Sequence, residues 1–201
     1  MNKIQKIKSQ FIKNNLIKKR LAEFKSFKDK TTQEWFSELC FCLLTANSKA
    51  KTALAIQQEM GNSGFTEKPQ EELSATIRKH NHRFHNKKAE YIIAARSFIT
   101  IKDEIFDKKG PVAREFLVKN IKGLGFKEAS HFLRNVGFAD VAIIDRHILR
   151  FLKQNEFIKD IPATITKSNY LKYEKILKGF KIPLDELDLI IWQKMTGEVL
   201  K

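Results

Sequence analysis

The chain has 201 residues, 38 of them Lys or Arg against 23 Asp or Glu, which gives a net charge of +15 and a pI near 9.8. With 42% hydrophobic and 30% charged residues the composition is globular, and the length accommodates one large domain or two small ones sharing a core. Eight Gly and four Pro are too few for a turn-rich all-β chain or a collagen-like repeat, and apolar runs such as Leu39 to Leu44 fall far short of the ~20 residues a bilayer span needs.

Met1 to Gln10 alternates Lys with Ile and Gln and leads into no unbroken apolar core, so no secretory signal is read there and a cytoplasmic protein is expected. Residues 1–30 carry ten Lys or Arg against Glu23 and Asp29, more than half of the net charge. From Gln33, the positions Trp35, Phe36, Leu39, Cys40 and Leu43 recur at helical spacing, with a polar break over Thr45 to Lys49. Cys40 and Cys42, two residues apart on that helix, point to different sides and read as small core fillers rather than a disulfide. Two cysteines also exclude an iron-sulfur cluster held by four.

Ala50 to Met60 suggests a second helix, stopped by Gly61 and Gly64, and Pro69 is placed to open a third. Next comes a basic cluster of Arg78, Lys79, Arg83, Lys87, Lys88 and Arg96 interleaved with Phe84 and three histidines, and helical spacing over Ala89 to Ile99. Pro111 begins a helix through Asn120, and Ala129, Phe132, Leu133 and Val136 mark another, closed by Gly137. Phe138 to Ile144 is short and apolar, and Asp145 is positioned to cap a helix from Arg146 to about Gln154. Ser168 and Gly179 bracket a further helix, and Pro183 to Thr196 forms the last, ended by Gly197. The pattern is all-α.

Clustered positive charge attracts polyphosphate by counterion release, which makes nucleic acid the first candidate partner, with an anionic membrane surface or merely solvated lysine-rich helix faces as alternatives. The stretch Lys122-Gly123-Leu124-Gly125-Phe126-Lys127-Glu128-Ala129 sharpens that reading. Two glycines one residue apart between helices expose backbone amides to a phosphate, while Leu124 plugs the turn into the core. An ordinary helix–helix turn is the plainer alternative.

That hairpin, followed by Ala142-Ile143-Ile144-Asp145-Arg146-His147, resembles the helix-hairpin-helix superfamily of DNA glycosylases. Within it the whole chain is similar to the archaeal-type 8-oxoguanine DNA glycosylase/lyase family, through Phe24-Lys25-Ser26-Phe27-Lys28, Glu34-Trp35-Phe36, Glu38-Leu39-Cys40-Phe41-Cys42, Glu128 to Gly137 and the terminal Thr196-Gly197-Glu198-Val199-Leu200-Lys201. Lys122 stands where many superfamily members have Pro. The absence of cluster cysteines separates the chain from endonuclease III relatives.

The resemblance implies two helical subdomains around a DNA-binding cleft. One is a barrel over 30–137 containing the hairpin at about 113–136, and the other is formed by both chain ends, 1–29 and 138–201. It implies Lys127 as the nucleophile that forms a Schiff base and Asp145 as the catalytic carboxylate, for excision of 8-oxoguanine from duplex DNA and β-elimination at the abasic site. Phe84 and Trp192 are expected to sandwich the flipped base, the Lys201 carboxylate to read it, Asn47 to fill the vacated stack, and Lys122, Gly123 and Gly125 to hold the DNA. No cofactor is expected beyond a monovalent cation at the hairpin, and a nucleoid-associated monomer is expected.

The residue types suit these roles. A lysine among other cations, here Lys119, Lys122 and Arg134, sheds its proton more readily, and a carboxylate stabilises the positive charge that develops on the sugar. Read without the resemblance, Lys127 is a surface lysine, Asp145 a helix cap, Phe84 and Trp192 core residues, and Asn47 a turn residue. His131 reads as structural, and Asp188 as a helix-surface charge, with a part in shaping the pocket as the alternative. A glycosylase for another damaged base and a non-catalytic hairpin module remain the alternatives.

Overall fold

The computed structural model describes residues 3–9, 11 and 15–199. Among these, twelve α-helices and two short 3-10 helices form the fold, and no strand occurs. The N-terminal region contributes α1 (Lys3–Lys8) and α2 (Asn15–Ser26). Helix α3 (Thr32–Thr45) starts on a capping box in which Thr31 and Glu34 satisfy each other's backbone amides, and every residue from Trp35 to Thr45 is buried. It is the axis on which α4 (Ala50–Glu67), α6 (His85–Ala95), α7 (Ile101–Ile105) and α9 (Phe126–Asn135) pack.

At Gly61 the backbone leaves helical geometry, with φ 61° and ψ −171°, so the stop expected there is present and α4 is two helical segments joined across a kink. Met60, Gly64 and Phe65 are buried on either side of the kink, so one apolar face continues, and Gly64, expected to share the stop, lies within the second segment. Helix α5 (Gln70–Lys79) follows Pro69, and α8 (Gly110–Asn120) carries Pro111 in its first turn. The expected helix over Ala89 to Ile99 is α6 and a 3-10 turn, Arg96–Phe98.

The apolar side chains gather into two main clusters. One runs from Trp35 on α3 to Val141, and the other joins Ile7 to residues between Ala142 and Ile191. The second cluster is built from α10 (Arg146–Gln154), α11 (Lys167–Lys178) and α12 (Leu184–Thr196). Ile17 and Phe24 of α2 pack on Leu189 and Ile190 of α12, so both chain ends share one body.

Between the clusters runs a buried polar seam. The Arg114 guanidinium on α8 pairs with Glu174 on α11 and donates to Ser130 Oγ on α9 at 3.2 Å. Glu174 also accepts from the Ala142 N–H at 3.0 Å. The Tyr170 hydroxyl donates to the Ala142 carbonyl at 2.7 Å and accepts from the Ile144 N–H at 3.1 Å. The extended stretch 140–145 is thereby hydrogen-bonded from the side, in place of a sheet partner.

Candidate active site

The hairpin is the turn from Ile121 to Gly125 between α8 and α9, closed by a Leu124 N–H to Ile121 carbonyl bond of 3.2 Å. Leu124 is buried as the sequence indicates. The two glycines differ in their need for glycine. Gly123 has φ +88°, and a Cβ there would lie 2.3 Å from the Tyr91 ring. Gly125 has an ordinary φ of −90° and is the N-cap of α9, with no side chain bonded to the first amides of that helix. The first amides of a helix lack intrahelical acceptors, and here they belong to a basic turn, a setting that suits phosphate. Lys122 is exposed but paired with Glu90 at 3.0 Å, so DNA phosphate has to compete with that carboxylate.

Lys127 lies in the first turn of α9, its ammonium 3.1 Å from the Glu128 carboxylate. Behind it, Lys88 on α6 is buried and donates to the Leu43 carbonyl at 2.6 Å. Burial pulls the Lys88 ammonium down to about 8, with Glu128 opposing the shift and Lys127 adding to it. Asp145 caps α10 and accepts from the Ile148 N–H at 2.8 Å.

Lys127 and Asp145 line one cleft of about 590 Å³. The same cleft takes in Trp192, Asp188, His147, His131, Tyr170, Thr45 and Ser48. The Trp192 ring stands 4.6 Å from the His147 ring, centroid to centroid, and its indole N–H is buried without a hydrogen-bond partner. His131 packs edge-on against Phe41 at 5.6 Å while facing the cleft.

Asp188 overturns its reading as a surface charge. It is buried one helical turn before Trp192 and pairs with the Arg134 guanidinium. Burial pushes its carboxyl up to about 6, with Arg134 opposing the rise and Asp145 adding to it. Arg134 continues through Asn135 to Glu38, so α12, α9 and α3 are pinned together beneath the cleft. Only long-range partners show this, 54 and 97 positions apart in the chain.

Two other expected site residues, Phe84 and Asn47, are not part of the cleft lining. Phe84 is 38% exposed outside the lining of the cleft, with Arg83 stacked 4.4 Å over its ring. Asn47 sits in the turn after α3 with φ 62°, between the cleft residues Thr45 and Ser48. Lys201 lies outside the described residues. Among the described residues, no group of three or more His, Cys, Asp or Glu is placed to hold a metal ion, and no helix is long and apolar enough to cross a membrane.

The family model described as 8-oxoguanine DNA glycosylase matches residues 17–185, which include the hairpin, Lys127 and Asp145. The chain belongs to the 8-oxoguanine DNA glycosylase family. A relative named 8-oxoguanine DNA glycosylase/AP lyase, from Methanocaldococcus jannaschii, is 54% identical over 100% of this chain and 99% of its own. Another of the same name, from Korarchaeum cryptofilum, is 41% identical over 100% of this chain and 97% of its own.

Among solved glycosylase structures, that of the M. jannaschii 8-oxoguanine glycosylase/lyase with a 15mer DNA containing 8-oxoguanine superposes with a TM-score of 0.92 at 53% identity, covering 99% of this chain and 98% of that one. The 8-oxoguanine DNA glycosylase of Thermotoga maritima gives 0.88 at 38% identity, over 98% and 96%. An endonuclease III–DNA complex, 21% identical with a TM-score of 0.60, shares the fold of this glycosylase.

Proposed function

We infer that this chain is a bifunctional DNA repair enzyme that excises 8-oxoguanine from duplex DNA and then cleaves the strand at the abasic site. One observation carries the mechanism: Lys127 at the mouth of the hairpin and Asp145 at the cap of α10 open onto the same cleft as Trp192. A base inside the duplex is out of reach of an amine, so the lesion nucleotide must rotate out of the stack into the cleft.

The Lys127 amine, once it has given up a proton, attacks C1′ of the lesion nucleoside. The C1′–N9 bond breaks, and its electron pair leaves with the base, which takes up a proton. Asp145 stabilises the positive charge that develops on the sugar as that bond loosens. Ring opening gives a Schiff base between Lys127 and C1′. Loss of a proton from C2′ then expels the 3′ phosphate, and water hydrolyses the imine to free Lys127.

Trp192 and Phe84 stack on the extruded base, the Lys201 carboxylate reads its edge, and Asn47 fills the gap left in the duplex. The bare first turn of α9, with Gly123, Gly125 and Lys122, holds a backbone phosphate. The scheme draws on no organic cofactor, and a monovalent cation on the hairpin carbonyls is the one ion assigned to it. The barrel over 30–137 and the unit made of 1–29 and 138–201 form the two walls, and one copy of the chain suffices. The substrate places its work on the chromosome, at the nucleoid.

Borohydride added during turnover on an 8-oxoguanine duplex tests this reading. The wild type is expected to become covalently joined to the DNA and Lys127→Gln to form no adduct. Failure of the wild type to trap, or equal trapping by the variant, defeats the lyase mechanism.

A further inference from the structure

Beside the cleft, the turn between α5 and α6 is tied to the end of α3 by one buried imidazole. His82 is 3% exposed. Its Nε2 lies 3.0 Å from the Leu44 carbonyl, in the last turn of α3. Its Nδ1 accepts the Phe84 N–H at 3.2 Å. These partners dictate the protonation state, because a carbonyl needs a donor and an amide N–H needs an acceptor. The ring is neutral, with its proton on Nε2. An imidazolium, a donor at both nitrogens, would point Nδ1–H at the Phe84 N–H.

The two segments joined this way come from different parts of the fold and carry two of the residues assigned above to the DNA. Past Leu44 the chain runs through Thr45 and Ser48 in the cleft wall, with left-handed Asn47 between them. Past His82 it presents Arg83 and the half-exposed ring of Phe84. Lys88 reinforces the same joint by donating to the Leu43 carbonyl, so two consecutive carbonyls at the C-terminal end of α3 are satisfied from the α6 side.

We propose that His82 is a positioning residue for lesion recognition, which through its two hydrogen bonds sets the Phe84 ring and the Asn47 turn in one fixed relation before DNA arrives. The proposal rests on the glycosylase reading above, in which Phe84 and Asn47 engage the extruded base and the gap it leaves. It makes lesion engagement sensitive to protonation of His82. The groups that face the ring come from two elements: α3 presents the Leu44 carbonyl, which accepts its proton, and α6 presents Lys88 and His85, which disfavour a positive charge on it. Burial pulls the imidazole below its ordinary range, with the Lys88 charge and His85 adding to this although the Leu44 bond opposes it.

The test separates base engagement from the lysine chemistry by comparing two substrates, a duplex bearing 8-oxoguanine and the same duplex with a preformed abasic site, which has no base to stack. His82→Leu is expected to lower kcat/KM for excision by about tenfold or more while cleaving the abasic site within about twofold of wild type. His82→Gln, whose amide donates and accepts from one planar group but does not titrate, is expected to recover excision to within about threefold.

As the pH falls below the ordinary imidazole value of about 6.5, wild-type excision should fall more steeply than that of His82→Gln, with parallel abasic-site profiles down to the pH at which the fold is lost. Equal losses by His82→Leu on both substrates, or on neither, overturn the proposal, as do superimposable pH profiles for wild type and His82→Gln. If His82→Leu does not fold, the pH comparison decides alone. Absence of excision and of trapping by the wild type would instead defeat the glycosylase reading itself.

Discussion

Asp145 closes the first turn of α10 with its carboxylate and also lines the cleft that holds Lys127, 18 positions earlier in the chain. Capping and catalysis therefore fall on one side chain, and substitution can separate them. Asparagine caps as well as aspartate, so Asp145→Asn is expected to leave the melting temperature almost unchanged while single-turnover excision falls by about a hundredfold or more. Asp145→Ala should lose the same activity and about 1 kcal/mol of stability. Thermal melts beside excision assays check both, and an active Asp145→Asn enzyme would reduce the residue to a cap.

The hairpin glycines should respond unequally. Gly123→Ala places a methyl group against the Tyr91 ring at a positive φ, and is expected to cost about 1 to 3 kcal/mol and to weaken binding of undamaged and damaged duplex alike. Gly125→Ala meets only the flexible end of Glu128, at 3.1 Å, and should be the milder change. Urea unfolding and fluorescence-anisotropy titrations with plain duplex would show the order, and equal effects would mean that Tyr91 yields freely.

Glu174 supplies a pH prediction. Burial pushes its carboxyl up, but hydrogen bonds from Arg114 and the Ala142 N–H, with the Arg114 charge, outweigh this and hold it below the ordinary range. A depressed value in the folded chain means stability that is present above the unfolded value of about 4.3 and lost as the pH falls through the folded one. Glu174→Gln should cost roughly 3 to 5 kcal/mol near neutral pH, where it strands a buried guanidinium, and much less near pH 3. Denaturant unfolding at both pH values tests this. A pH-independent loss would mean that the seam acts by shape rather than by charge.

Asp188 runs in the opposite direction. Its raised value, about 6, means a contribution to stability that is complete below the unfolded value and lost as the pH rises through 6. Its carboxyl carbon should titrate near pH 6 by NMR in the wild type. Arg134→Met, which removes the opposing charge, should move that midpoint upward. A midpoint below 4.5 in the wild type would mean that the Arg134 charge outweighs the cost of burial.

The sequence carries what is local. Asp145 precedes an apolar helical pattern, Pro111 and Pro69 stand at helix starts, and Gly197 ends α12, so these boundaries follow from backbone geometry that each residue type enforces. The hairpin is legible for the same reason. For Asp188 the sequence leaves pocket and surface both open, because its surroundings are set by Arg134, 54 positions away, and helical spacing alone cannot tell a carboxylate facing water from one facing a distant guanidinium. The seam of Arg114, Glu174 and Tyr170 was hidden likewise. Gly61 is legible as a break, but the short helical segment beyond it is not, because its hold comes from the burial of Gly64 and Phe65.

The polar seam has a bearing on how the protein comes apart. Tyr170 and Glu174 belong to one half, Arg114 and Ser130 to the other, and separating the halves would strand an ion pair and several backbone groups in apolar surroundings. Neither half therefore has a comfortable solitary existence. The enzyme should melt in a single calorimetric step, with matching calorimetric and van't Hoff enthalpies, and weakening the seam should split that step before it abolishes the fold.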